Sequence, residues 1–202
     1  MTSELDLKYL ERKVYLTYSQ DGLMDLVAGL FVLAFGLDLV LYLNLAAINA
    51  ALLLMLFWAA KRKITYPRIG FAKFSPERTR MLKKAVLVMQ LALLVAMLLG
   101  VVAFLGFSGF LPGLRTFFKQ YSLLLFGVVL AGLMSLGAVL LDNWRLHIYA
   151  ALTLSAFAVG RLVDLHPRVF MIPLGAVITI SGLAVLIRFL RKYPVPVERE
   201  GQ

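Results

Sequence analysis

The sequence predicts an all-α integral membrane protein, a bundle of six transmembrane helices with both termini cytoplasmic. Three observations predict it. Apolar residues make up 61% of the chain and charged residues 16%, with a mean hydropathy of +0.87, a balance outside that of soluble domains. The apolar residues are gathered into runs of roughly 16 to 25, the length a helix needs to cross a hydrocarbon core about 30 Å thick. Seventeen of the 21 Lys and Arg residues fall on one side of an alternating topology, leaving Arg115, Lys119, Arg161 and Arg168 on the other. Cytoplasmic segments carry such an excess.

Residues 1–20 mix acids and bases and lack the apolar region and cleavage site of a signal peptide, so the N-terminus is expected to be retained. Leu7, Leu10, Val14 and Tyr18 recur at helical spacing, with Lys8, Glu11, Arg12 and Lys13 available for a wet face. That pattern predicts an amphipathic helix along the membrane surface, or else a polar lead-in that orders only near Tyr18.

The transmembrane domain covers 21–192. Its first span, Leu23 to Leu43, follows Gly22 and carries Gly29 and Gly36 at seven-residue spacing, a stripe on which another helix can approach closely. Asp21 and Asp25 project near that stripe, and Asp38 points away from it. A tight connection at Tyr42 to Asn44 leads to a short second span, Leu45 to Ala60, which ends on the interfacial anchor Trp58. A basic cytoplasmic hinge over 61–84 follows.

The third span runs from Ala85 to Phe104 with Gln90 as its strongly polar member, and SGFLPGLRTFFKQYS reads as the loop after it. Span four, Leu123 to Leu141, carries three glycines and Ser135; span five, Leu146 to Val163, carries Thr153, Ser155 and Gly160. Span six, Phe170 to Leu190, repeats the seven-residue glycine spacing at Gly175 and Gly182. Residues 193–202 form a cytoplasmic tail.

The hinge holds nine bases against one acid, Glu77, interleaved with Tyr66, Phe71 and Phe74. It suits anionic lipid headgroups, at about 1 kcal/mol per base near the surface, although setting the topology would by itself require such an excess. Nucleic acid is disfavoured, because no reading module accompanies the bases. Pro67 and Gly70 bracket Arg68 in a turn-forming context, so the hinge is expected to fold back and pair Arg68 with Asp25.

The pairing of DGLMD, Asp21 to Asp25, with TYPRIGFAK, Thr65 to Lys73, resembles a family of uncharacterised bacterial and archaeal multi-spanning membrane proteins. The resemblance implies no activity. It implies that the two stretches belong together.

Charges inside spans need a physical reason. Asp25 and Arg161 lie near span ends and are expected to snorkel, whereas Asp38 is the candidate for a carboxylate facing an internal cavity. Arg161 and Asp164 have the i, i+3 spacing of a helical ion pair. His147 and His166 lie at opposite ends of span five, about 28 Å apart, too far to share a metal. Ser155 is about 12 Å along the helix from His147, so that serine and histidine form no dyad.

The chain has no cysteine, which removes disulfides and thiol chemistry, and no linear catalytic, phosphate-binding or metal motif occurs. No cofactor is implied. The candidate functional residues are therefore Asp21, Asp25, Asp38, Arg68, Lys73, Gln90, Arg161 and Asp164. The leading reading is a non-enzymatic, multi-pass protein of the cell membrane that binds lipid or a partner protein through its basic hinge. The alternative is a small transporter or channel, a homo-oligomer with a polar path through Asp38, Gln90, Ser135 and Thr153. An intramembrane enzyme stands third.

Overall fold

A computed structural model describes residues 15–42, 46–69, 76–108 and 112–194. The greater part of the N-terminal surface helix, Lys73 and most of the C-terminal tail lie outside these residues. Among the described residues every regular element is helical. Six helices exceed ten residues: α1 Leu23–Leu41, α2 Ala46–Ala60, α3 Pro76–Ser108, α4 Pro112–Leu141, α5 Trp144–Leu162 and α6 Pro167–Lys192. Residues 15–19 form a further helical turn before α1.

Four stretches are long and apolar enough to cross a membrane: Tyr15–Leu41, Arg80–Gly106, Gln120–Leu141 and Pro167–Lys192. The expected second and fifth spans correspond to α2, with 15 residues, and α5, with 19. Helix α5 has the length, about 28 Å at 1.5 Å per residue, but dilutes its apolar content with Arg145, His147, Thr153, Ser155 and Arg161.

Two connections differ from the sequence reading, and proline placement accounts for both. The loop expected from Ser108 to Ser122 is helical from Pro112 onward, because proline is well suited to a first helical turn, where its missing N–H has no partner to lose. The hinge is helical on both flanks. Helix α2 continues through a π-helical turn, Lys61–Thr65, and a further α-turn, Tyr66–Ile69, while Pro76 opens α3.

The π-turn has a local cause. Pro67 lacks an N–H, and its ring would crowd the carbonyl four residues earlier in a regular α-helix. The backbone instead widens, with the Tyr66 N–H donating to the Lys61 carbonyl five residues back, and the chain stays helical. Arg68 supports the same segment by donating from Nη1 to the Ile64 carbonyl at 2.7 Å.

The chain divides into two compact units, one formed by the chain up to Phe74 together with that from Met171, the other by Ser75 to Phe170. In the first, α1 and α6 run antiparallel along the glycine stripes. A Cβ added at Gly29 would stand 2.4 Å from the Thr179 nitrogen, one at Gly175 2.4 Å from the Leu33 nitrogen, and one at Gly182 2.4 Å from the Leu26 nitrogen. Backbone meets backbone at each glycine. Val32, Met171 and Ile178 fill the space between, each at most 1% exposed.

The second unit is built on the α4–α5 hairpin. Asp142 takes a left-handed conformation and Asn143 caps α5, its side chain accepting from the Arg145 N–H at 3.3 Å. Phe157 lies over Gly127 and meets Phe170 edge-on at 5.0 Å between ring centroids. Helix α3 is the outlier. None of its apolar window is buried, so its Leu, Val and Met side chains face outward nearly all round.

Candidate functional site

The densest buried polar cluster among the described residues lies in the first unit, where the approach to α1 meets the end of α2. Asp21, Asp25 and Thr65 are each 0% exposed. Gly22 creates the entry: its φ of 86° is in the left-handed region open to glycine, and a Cβ there would stand 2.6 Å from the Leu186 nitrogen. This turn presents Asp21 to two elements at once.

Asp21 Oδ1 accepts from the Leu23 N–H at 3.1 Å, satisfying a donor in the first turn of α1. Its Oδ2 accepts from Thr65 Oγ1 at 2.6 Å and from Lys61 Nζ at 2.8 Å. Lys61 also donates to the Tyr18 carbonyl and lies 5.7 Å from the centre of the Phe57 ring. Lys61 and Thr65 are four residues apart, on one face of the helix, so both reach the same carboxylate. Around this polar centre, Leu23, Leu186 and Phe189 are packed by Phe57, Ala60, Ile64 and Ile69.

The lysine ion pair therefore belongs to Asp21. Asp25 sits on the α1–α6 seam with no exposed surface, so it does not snorkel to solvent. Arg68 is half-buried and donates to Ile64. The first residues of the two sequence motifs, Asp21 and Thr65, are joined by a direct hydrogen bond.

The other candidates are dispersed. Asp38 is half-buried one turn before the end of α1, and Gln90 is exposed on α3. Thr153 is buried and donates to Met134 Sδ at 3.6 Å. Arg161 and Asp164 approach to 3.8 Å with the Asp164 side chain 98% exposed, a setting in which an ion pair contributes little. Arg168 turns to His166, with Nε 3.0 Å from Nδ1.

Sequence reasoning missed two contacts. Thr65 and Lys61, four residues apart and so on one helical face, meet Asp21 through the packing of the end of α2 against the approach to α1, which no periodicity in the sequence signals. Ser135 Oγ lies 3.0 Å from His147 Nδ1, a pair formed across the α4–α5 hairpin; Asn143 just before α5 signals the hairpin without giving its register. The pair is solvent-facing, and this arrangement alone supplies neither an oxyanion cradle nor a substrate pocket.

What the cluster can do chemically is limited and definite. A lysine, a threonine and a backbone N–H all donate to one carboxylate, an arrangement that holds a negative charge in place and links the N-terminal segment to the end of α2. The remaining bases face outward: Arg62, Lys63, Arg80, Lys83 and Lys84 are all exposed. No protein-family model, curated protein or solved structure matches the chain.

Proposed function

We propose that this is a six-crossing protein of the cell membrane that binds anionic lipid through the basic segment 61–84, which runs from the end of α2 into the start of α3 (the α2–α3 segment). The observation that carries the reading is the separation of the bases into two sets. Lys61 is paired with Asp21 and Arg68 is half-buried against the Ile64 carbonyl, whereas Arg62 and Lys63 after α2 and Arg80, Lys83 and Lys84 near the start of α3 are exposed. That is the depth at which lipid phosphates lie.

Six crossings are supported by the same bases. Crossing by only the four most apolar stretches would put the hinge opposite both termini and divide the Lys and Arg residues almost evenly between the two sides, so neither orientation would follow the rule as closely. With α2 and α5 crossing as well, the hinge and both termini share the cytoplasmic side.

The test replaces Arg62, Lys63, Lys83 and Lys84 with glutamine and leaves Lys61 intact. Purified protein is titrated with dioleoylphosphatidylglycerol and dioleoylphosphatidylcholine in neutral detergent. The expected result is a preference for the anionic lipid that weakens with salt and falls about tenfold or more in the variant. Equal retention of both lipids by the parent protein would overturn the reading.

A further inference from the structure

A groove of about 360 Å³ opens in the first unit between the Tyr15–Ser19 turn and the last two turns of α6. One wall is a single helical face of α6, with Val185 one turn further into the apolar run, Arg188 and Lys192 four residues apart and the buried Phe189 between them. The facing wall supplies Leu16 beside the polar side chains of Thr17 and Gln20. Tyr193 closes one side, its ring 5.2 Å from Phe189 and 5.6 Å from Lys192 Nζ.

We propose that this groove binds the phosphate of one anionic lipid, with Arg188 and Lys192 as the charged contacts and Thr17 and Gln20 completing the polar side. Three features select that ligand. Arg188 and Lys192 are exposed, and no carboxylate among the described residues pairs with either. The groove is amphipathic, so a soluble anion would leave the half-buried Leu16 and Val185 uncovered, whereas an acyl chain entering beside them buries apolar surface. It also lies where the apolar run of α6 gives way to Arg191 and Lys192, beside the Gly22–Leu186 crossing, which is headgroup depth for a spanning helix. A guanidinium four residues from an ammonium offers the phosphate a planar fork and a point charge together.

This inference rests on the reading that the protein takes anionic lipid, but it assigns a bounded site on different bases from those of the α2–α3 segment. The competing account is that Arg188 and Lys192 only offset the helix dipole and anchor the interface.

The test uses the full chain in neutral detergent, titrated with dioleoylphosphatidylglycerol and read by native mass spectrometry as the number of lipids bound. Dioleoylphosphatidylcholine and inorganic phosphate serve as the neutral-lipid and soluble-anion arms. Arg188→Gln with Lys192→Gln is expected to remove one tightly held lipid, weakening its binding about 10- to 30-fold for two lost charges. Arg188→Lys with Lys192→Arg keeps both charges and is expected to retain it. The four-base glutamine variant of the α2–α3 segment is expected to keep this lipid while losing the weaker, salt-sensitive ones.

An unchanged tight lipid in the Arg188→Gln, Lys192→Gln protein would overturn the groove while leaving the α2–α3 segment standing. Loss of lipid preference in the parent protein would instead overturn the wider reading. Displacement of the lipid by millimolar inorganic phosphate, or equal binding of phosphatidylcholine, would overturn the assignment of a lipid phosphate.

Discussion

Asp21 joins the N-terminal segment, the start of α1 and the end of α2 with one carboxylate, so its loss should be felt as a stability defect. Both partners are nearly enclosed, with the Lys61 side chain 12% exposed and that of Asp21 0%. Removing one partner of a buried pair leaves the other charge without its counterion, at about 3–5 kcal/mol. Asp21→Asn and Lys61→Met are each expected to lower the thermal unfolding midpoint in detergent markedly. The double variant should lose less than the sum; strict additivity would show that the two side chains do not act on each other. Thr65→Val should cost about 1.5–3 kcal/mol, the range for a hydrogen bond to a charged group, and chemical denaturation in detergent would measure it.

At the scale of elements, the glycines sit in different environments that sequence spacing alone does not separate, and two of these make opposite predictions. Gly29 and Gly175 face backbone across the α1–α6 seam, whereas Gly100 and Gly132 have nothing within 4 Å of an added Cβ. Gly29→Ala is expected to destabilise by about 1–3 kcal/mol, because helix backbones have to separate to admit the methyl group. Gly132→Ala is expected to be neutral or to stabilise α4 by up to about 1 kcal/mol through its higher helix propensity. Comparing the two unfolding midpoints under one set of detergent conditions checks both, and a loss at Gly132 matching that at Gly29 would contradict the seam.

For the whole molecule the decisive quantity is the number of crossings, and the absence of cysteine makes it directly measurable. Six crossings put Arg80 in the cytoplasm and Asp164 outside. Crossing by the four most apolar stretches alone would put both on the same side. Arg80→Cys should therefore react with an impermeant thiol reagent only after permeabilisation, whereas Asp164→Cys, at a position whose side chain is 98% exposed, should react in intact cells. Labelling of Arg80→Cys in intact cells would exclude the six-crossing topology.

Composition and periodicity alone were enough for the all-helical class, for stretches long and apolar enough to cross a membrane, and for the glycine stripes at Gly22, Gly29 and Gly36 and at Gly175 and Gly182, because run length and residue spacing are local properties. The pairing of the two stripes was not legible, since a stripe of small residues states that some backbone approaches and not which one. The same limit applies to the site. Asp21 and Thr65 were visible as members of two motifs, but the ion pair expected between the two stretches was that of Asp25 with Arg68, and Lys61 was read only as one of the hinge bases. What brought Lys61 to Asp21 was a left-handed turn at Gly22 seated against α6, which sets where the approach to α1 meets the end of α2. The register between distant segments is set by how backbones pack in three dimensions, and only the tertiary structure decided which carboxylate received the lysine.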